Sequence, residues 1–132
     1  MVTTFLAALN TAPCFAGSCD WRIPNRAELL SITNLETFAP AVSSPFNNNC
    51  GAVYGFGNFP SNPGCTVTSC SCTKTFNEAD VWKSFYWSSS TNNSNASKAW
   101  GVYFVTGDVG LTTKSSSGQF IGGYVRAVRG GL

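Results

Sequence analysis

Hydrophobic positions along this chain repeat with two periods, first at helical spacing and later in alternation. Phe5, Leu6 and Leu9 recur at the spacing of one helix face, which predicts a short amphipathic helix over residues 3–10. After Phe85, aromatic residues alternate with small or polar ones, a pattern typical of short antiparallel strands. Helices first and strands last predict an α+β domain with an irregular centre.

A second helix is predicted where a capping signal precedes another apolar repeat. Asn25 is a favourable N-cap, and Glu28 stands three residues later, in the position of a capping box. We expect this helix to begin at Arg26 and end near Asn34, and Pro40 excludes any continuation. The buried face is predicted to consist of Leu29, Leu30, Ile32 and Leu35.

Four strands are predicted in the last third of the chain, at residues 85–89, 98–105, 109–114 and 124–129. The second and third form a hairpin around Gly107, where a positive φ is expected. Both faces of this hairpin carry apolar residues, so we expect each face to be covered. The Ser- and Asn-rich stretch 88–97 is predicted to be a polar loop, and such loops often carry binding surfaces.

The composition indicates an extracellular recognition module. Charged residues make up 11% of the 132 residues, against about 25% in an average soluble protein. A net charge of +2 is too weak to predict nucleic-acid binding. No apolar run approaches the ~20 residues of a membrane span, so no membrane insertion is expected. The length predicts a single domain over residues 1–132. Because the first nine residues do not have the pattern of a signal peptide, we expect the domain to be a fragment of a longer secreted or surface protein.

Six cysteines lie in segments rich in Gly, Pro, Asn and Ser, four of them in a Cys-rich insert at about residues 47–73. An even number in such segments favours disulfides and an oxidising compartment. The alternative is a metal site built from the thiolates of the insert, but the chain has no His and the spacing is unlike that of zinc ligands. The repeated Cys-x4-Cys spacing favours the pairs Cys14–Cys19, Cys65–Cys70 and Cys50–Cys72 over the other connectivities.

Four motifs occur in a fixed order along the chain. They are Asp20-Trp21-Arg22-Ile23-Pro24-Asn25, Tyr86-Trp87-Ser88-Ser89, Ala99-Trp100-Gly101-Val102-Tyr103-Phe104, and Tyr124-Val125-Arg126-Ala127-Val128-Arg129-Gly130-Gly131. Together they resemble the family of the C-terminal domain of the Legionella collagen-like adhesin. That family is related to the C-type-lectin-like fold and, more distantly, to formylglycine-generating and sulfatase-modifying proteins.

The resemblance implies a bacterial, C-type-lectin-like domain: two helices flank a twisted antiparallel sheet with long disulfide-stapled loops. It also implies that a strand near the N-terminus pairs with the last strand, and we expect that partner before Met1. The motif residues are expected to be structural, with Arg22 paired to Glu28 or Asp20, and Arg126 or Arg129 tying the last strand to the helix. The tryptophans of the motifs are expected in the core. These residues are Trp21, Arg22, Asn25, Glu28, Trp87, Trp100, Arg126 and Arg129.

The alternative interpretation is that Arg22, Arg126 and Arg129 form a cationic site that binds sulfated or carboxylated glycans.

Catalysis is disfavoured, because a chain without His has no Ser-His or Cys-His pair. Clustered carboxylates of the kind that bind calcium are also missing from the sequence, so no metal and no cofactor is expected. We therefore predict non-catalytic recognition of a carbohydrate or a surface protein. The alternative is a structural subunit or cap of an oligomeric or fibrous surface assembly. The predicted ligand-binding residues are Trp82, Lys83, Ser90, Asn92, Asn93, Asn95 and Lys98.

Overall fold

The computed structural model describes residues 2–50, 53–54, 60–61, 70–73, 75, 85–115 and 123–130. These residues form an α+β arrangement with antiparallel strand pairs, as the order of patterns predicts. The helices are α1 (Val2–Asn10) and α2 (Arg26–Ser31). The strands are β1 (Trp21–Arg22), β2 (Val53–Tyr54), β3 (Pro60–Ser61), β4 (Phe85–Asn92), β5 (Asn95–Tyr103), β6 (Asp108–Thr113) and β7 (Val128–Arg129).

Helix α2 begins with the predicted capping box. The Asn25 side chain accepts a hydrogen bond from the Glu28 amide at 2.9 Å, and the Glu28 carboxylate accepts one from the Asn25 amide at 2.7 Å. The helix ends at Ser31, earlier than predicted, because the chain turns back and Thr33 bridges to Val42. A six-residue helix buries one narrow row of side chains, so the prediction that Leu30 and Leu35 are buried is wrong: they are 37% and 77% exposed.

Strands β4, β5 and β6 form an antiparallel sheet in that order. The predicted polar loop at residues 88–97 is wrong, since β4 and β5 extend through most of it and leave a tight turn at Asn93 and Ser94. Helix α2 packs against β4 and β5 at the end of the sheet away from the β4–β5 turn. The residues at the tip of this β4–β5 hairpin therefore do not have to face the core. Ser and Asn are therefore tolerated in strands whose position along the sheet removes them from the core.

The core lies between α2 and one face of this sheet. Its buried members are Leu29, Val42, Tyr86, Val102 and Phe104. The rings of Tyr86 and Phe104 meet edge to face with centroids 4.9 Å apart, the arrangement that aromatic quadrupoles prefer. The segment after α2 closes this core, because the amide of Ala41 donates to the carbonyl of Phe104 at 2.7 Å.

The opposite face of the sheet carries an aromatic cluster. The Phe85 ring lies 5.1 Å from both Trp87 and Tyr103, measured between centroids. Gly101 of β5 permits this packing: a Cβ there would clash with the Phe85 ring and the Tyr86 carbonyl oxygen. Gly107 has φ +83°, as predicted for the β5–β6 turn.

The last described segment binds two distant parts of the chain. Tyr124 bridges in parallel to Tyr86, and β7 then pairs antiparallel with β1. The described partner of the last strand is Trp21–Arg22, which was not predicted, and pairing with a strand before Met1 stays a prediction. The two-residue strand is also shorter than the predicted 124–129, because the residues before it follow β4 and then cross to β1.

Arg22 is the centre of this junction. Its guanidinium donates to both carboxylate oxygens of Glu28, at 2.8 and 2.6 Å, and to the carbonyl of Gly130, at 2.9 and 2.6 Å. Asp20 accepts the Gly130 amide at 3.1 Å. The structural role predicted for Arg22 is thus confirmed, with Glu28 as its ion-pair partner.

The prediction that Arg126 or Arg129 ties the last strand to the helix is wrong, because each contacts another segment. Arg126 donates to the Thr73 hydroxyl at 2.8 Å and to the Cys72 carbonyl at 3.2 Å, so it holds the Cys-rich insert. Burial lowers the pKa of Arg126 from its usual value. Arg129 donates to the hydroxyl of Ser18, in the loop after α1. The difference follows from the segments that lie beside them: Arg126 lies over the Phe46 ring next to the Cys-rich insert, 5.5 Å from its centroid, and Arg129 lies next to the loop after α1.

Replacing Gly101 with Ala tests the close approach between β5 and the aromatic cluster. The added methyl has no free space, so we expect the free energy of unfolding to fall by ~1–3 kcal/mol. Urea unfolding followed by circular dichroism measures this. Thr113→Ala, on an exposed position of β6, should change it by less than about 0.5 kcal/mol. Equal effects of the two substitutions would contradict the packing.

The Arg22–Glu28 pair predicts a pH dependence of stability. The hydrogen bond from Arg22, and then that from the Asn25 amide, lowers the pKa of Glu28 from 4.5 to about 2. Because the folded-state pKa is depressed, the stabilisation is present above the unfolded value and is lost as pH falls from about 4.5 towards 2.

Urea unfolding of wild type and Glu28→Gln at several pH values between 7 and 2.5 checks this. We expect the variant to be less stable at pH 7 and the difference to shrink as the pH falls. Glu36→Gln, whose exposed carboxylate takes part in no ion pair within the described ranges, is the matched control. A difference between wild type and Glu28→Gln that does not change with pH would contradict the assignment.

Candidate functional site

An open pocket lies between the first turn of α2 and the tip of the β4–β5 hairpin. Its volume is about 290 Å³. The side chains around it are a cation, an indole and five short polar groups that can both donate and accept hydrogen bonds. The lining residues are Arg26, Ser90, Thr91, Asn92, Asn93, Ser94 and Trp100. The pocket is therefore polar on its walls and aromatic on one side.

The aromatic side is formed by a stacked pair. The guanidinium carbon of Arg26 lies 5.0 Å from the centroid of the Trp100 ring, within cation–π distance. Arg26 is exposed and Trp100 is half-buried. Within the described ranges, the guanidinium of Arg26 forms no ion pair with a carboxylate. A ligand entering the pocket thus meets an aromatic ring and the guanidinium that lies over it together.

An irregularity in the sheet shapes this pocket. Trp87 of β4 faces Gly101 of β5, and Thr91 faces Ala99, so three residues of β4 lie opposite Trp100 alone. Bulges of this kind re-aim side chains and bend the strand that carries them. The bulge also approaches the segment before α2, where the Ser89 amide donates to the Pro24 carbonyl at 2.8 Å.

A second cation lies beside the pocket. The Lys114 ammonium donates to the hydroxyl of Thr91 at 2.7 Å, and the Lys114 amide donates to the carbonyl of Ser97 at 2.8 Å. These contacts place Lys114 next to the hairpin, one residue beyond β6. The positive potential at this end of the sheet therefore comes from two side chains on different elements.

Three predicted ligand-binding residues come together here, namely Ser90, Asn92 and Asn93. Asn95 and Lys98 do not line the pocket: the side chain of Asn95 accepts hydrogen bonds from Ser97, and Lys98 is half-buried opposite Thr113. Trp82 and Lys83 lie outside the described residues.

Sequence reasoning missed Arg26, Thr91 and Ser94 as candidate site residues, and it assigned Trp100 to the core. Trp100 shares a sheet face with buried Val102, but it lies beyond the end of the core and opens to the pocket. The one signal that could have found Arg26 is its place directly after the N-cap, where a first-turn side chain reaches past the helix end.

The other motif tryptophans also lie at the margin of the core. Trp21 is half-buried, meets the Phe15 ring at 5.6 Å between centroids, and donates its indole N–H to the Phe15 carbonyl at 3.0 Å. Trp87 is half-buried against Phe85. Neither indole lines the Arg26 pocket, so these two side chains contribute to packing. Of the three motif tryptophans, Trp100 alone lines the candidate site.

The cysteines follow the predicted disulfides as far as the structure describes them. Cys14–Cys19 and Cys50–Cys72 are bonded. Cys70 is also disulfide-bonded, and its predicted partner Cys65 lies outside the described residues. The sulfurs of Cys50, Cys70 and Cys72 lie within 4.8 Å of one another, but sulfurs engaged in disulfides are not thiolate ligands. Disulfides are compatible with an oxidising extracellular compartment.

The described residues thus form an α+β arrangement with disulfide-stapled loops and a pocket at the tip of a sheet. The family model described as the Lcl C-terminal domain matches residues 2–129 of this chain, so the chain belongs to the Lcl C-terminal domain family. No curated protein and no solved structure matches the chain. In the part of the chain that the structure describes, no helix has the length and apolar character needed to cross a membrane.

The disulfides give a direct stability prediction. Double substitution of Cys50 and Cys72 by Ala should lower the free energy of unfolding by about 3 kcal/mol, and that of Cys14 and Cys19 by about 2 kcal/mol. The first pair is separated by 22 residues and the second by 5, and a longer loop loses more entropy on closure. Urea unfolding of the two double variants tests the order. Thiols of the native protein that react with iodoacetamide before reduction would contradict the assignment.

Proposed function

We propose that this chain is a secreted or surface-exposed, non-catalytic recognition domain that binds a saccharide unit in the Arg26–Trp100 pocket. The carrying observation is the half-buried Trp100 indole at the side of an open pocket whose remaining walls are polar. Sugars present an apolar C–H face and a rim of hydroxyls, and both surfaces find a complement here. Family membership supports the extracellular setting, and we propose a C-type-lectin-like fold for the domain as a whole.

The polar walls can form hydrogen bonds with a sugar hydroxyl whether that hydroxyl donates or accepts. The side chains of Asn92 and Asn93 each offer an amide that donates and accepts, and the hydroxyls of Ser90, Thr91 and Ser94 do the same. Such groups bind a sugar without the high cost of desolvating a buried charge. Arg26 adds one charge-assisted contact, because a guanidinium binds a carboxylate or a sulfate through paired hydrogen bonds. An acidic sugar is therefore favoured over its neutral counterpart.

The pocket residues support binding without catalysis and without a metal ion. None of the seven lining residues is an Asp or a Glu, whereas glycoside hydrolysis uses two carboxyl groups and calcium sites use several. The chain also has no His to act as a general base for a serine. We infer that the ligand is held by contacts with the Arg26–Trp100 pair and by hydrogen bonds, with Lys114 as a second cation beside the pocket.

A second candidate function is assembly with further copies into a surface structure. Two large apolar side chains favour it: Leu35 is 77% exposed and Phe38 is 58% exposed, only three residues apart. Exposed apolar groups in neighbouring positions are typical of interaction surfaces. Sedimentation velocity of wild type and of Leu35→Ser/Phe38→Ser tests this. Dissociation of an oligomer in the double variant supports assembly, and a wild-type protein that stays monomeric at high concentration contradicts it.

Saccharide binding is tested with Trp100→Ala, Trp100→Phe and Arg26→Gln. The probes are N-acetylglucosamine, N-acetylglucosamine 6-sulfate and glucuronic acid, titrated by ligand-observed NMR. Loss of the aromatic surface should weaken binding of each bound probe by about tenfold, and Phe should restore most of it. Arg26→Gln should weaken the two acidic probes selectively. Binding to wild type should be unchanged by a calcium chelator.

The matched control is Arg129→Gln, which removes the same charge at an exposed position that bonds Ser18, away from the pocket. It should bind the probes like wild type. If none of the three probes binds wild type, or if Arg129→Gln loses as much affinity as Arg26→Gln, the pocket is not the saccharide site.

A further inference from the structure

We propose that Ser88 and Ser90 are positioning residues of the pocket. Their hydroxyls join the main chain of Trp100 to the first turn of α2 and thereby keep Arg26 over the indole. The affinity part of this inference rests on the proposed saccharide binding, but the geometric part concerns the free protein. Both side chains are at least partly shielded from solvent: Ser88 is 4% exposed, and Ser90 is half-buried.

The bulge creates the need for these hydroxyls. Between the pairs Trp87–Gly101 and Thr91–Ala99, the regular ladder of β4 and β5 is interrupted opposite Trp100. A backbone carbonyl inside a sheet costs free energy if it loses its partner away from water. The Trp100 carbonyl recovers a partner from a side chain, since the Ser88 hydroxyl donates to it at 2.7 Å. Ser88 therefore fixes the main chain that carries the indole.

The same serine oxygen continues the connection along β4. The amide of Ser90 donates to the Ser88 hydroxyl oxygen at 3.2 Å, which holds the bulge in one conformation. This bond directs the Ser90 side chain across the gap towards α2. The Ser88 hydroxyl can fill this role because a hydroxyl donates to one group, here the Trp100 carbonyl, while it accepts from another, here the Ser90 amide.

Ser90 completes the connection to the cation. The amide of Arg26 donates to the Ser90 hydroxyl oxygen at 2.9 Å. Arg26 is the first residue of α2, where the amide has no intrahelical acceptor, so a side-chain oxygen from the sheet takes that place. Trp100 and Arg26 are separated by 74 positions along the chain, yet one chain of three hydrogen bonds sets both backbones.

Ser89 provides the contrast within the same run of serines. It is exposed, and both its amide, at 2.8 Å, and its hydroxyl, at 3.4 Å, donate to the Pro24 carbonyl. An Ala at this position keeps the bond from the amide. The hydroxyl of Ser89 makes only the longer of two bonds to one carbonyl and does not connect Trp100 to Arg26, whereas the hydroxyls of Ser88 and Ser90 do.

The experiment compares Ser90→Ala, Ser90→Thr and Ser89→Ala in the ligand-free protein labelled with 5-fluorotryptophan. Substitution of Trp100 by Phe assigns its fluorine resonance. We expect Ser90→Ala to shift or broaden the Trp100 resonance, Ser90→Thr to restore it because the hydroxyl returns, and Ser89→Ala to leave it unchanged. The melting temperature of each variant is measured beside the spectra. A purely structural role of Ser90 would lower the melting temperature without moving the Trp100 signal selectively.

Affinity for N-acetylglucosamine 6-sulfate gives the second readout. Loss of one hydrogen bond in the chain should weaken binding about three- to tenfold in Ser90→Ala, with recovery in Ser90→Thr. Ser88→Ala should act in the same direction, and if it unfolds, the Ser90 variants carry the test alone.

The two proposals fail separately. If wild type does not bind the sulfated sugar but Ser90→Ala moves the Trp100 resonance, saccharide binding is wrong and the positioning stands. If wild type binds and Ser90→Ala leaves both the resonance and the affinity unchanged, the positioning is wrong and the binding proposal stands. An equal shift of the resonance in Ser89→Ala would also overturn the positioning.

Discussion

The fork of Arg22 is the interaction on which the described arrangement most depends. One guanidinium binds the Glu28 carboxylate at the start of α2 and the Gly130 carbonyl near the end of the described chain. Glu28 in turn completes the capping box with Asn25. A planar guanidinium can satisfy two acceptors in fixed directions, whereas a lysine ammonium would leave the geometry open. The start of the helix, strand β1 and the C-terminal segment are thus set by one side chain.

This junction also decides where the pocket lies. Because Arg22 and the capping box fix the first turn of α2, the side chain of Arg26 leaves the helix at its exposed end, beside the hairpin. The core residues Leu29 and Val102 then hold the helix to the sheet one turn further on. The pocket therefore forms where packing ends, and its walls come from residues that the core does not constrain. The residues that line the pocket can therefore be polar without destabilising the fold.

Local signals in the sequence predicted local structure well. The capping box of Asn25 and Glu28, the positive φ of Gly107 and the disulfide of Cys14 with Cys19 each depend on residues close together in the chain. The early end of α2 and the exposure of Leu35 depend on a bridge between Thr33 and Val42, which no periodicity encodes. The family pattern supplied Arg22 but not its acceptor Gly130, because that contact spans the chain.

The candidate site was only half predictable for the same reason. A run of Ser and Asn indicates binding residues, and three of the predicted residues line the pocket, but a polar run between two predicted strands also predicts a loop where the structure has strands. Arg26 carries no signal of its own, since a first-turn arginine is unremarkable until the fold brings Trp100 beneath it. The period of hydrophobic residues along a sequence indicates which side chains are buried and not which form hydrogen bonds. It therefore does not predict polar strands that lie beyond the edge of the core.

The low charge of the chain gives the pocket its character. With eight basic and six acidic residues in 132, the long-range field is weak, and steering of a ligand from a distance contributes little. The recognition that we propose would then depend on contacts at short range: the Arg26–Trp100 pair, the amides of Asn92 and Asn93, and Lys114 beside them. This recognition gains from every constraint that holds Arg26 and Trp100 in register, because each rotamer already ordered before binding removes an entropic cost from the complex.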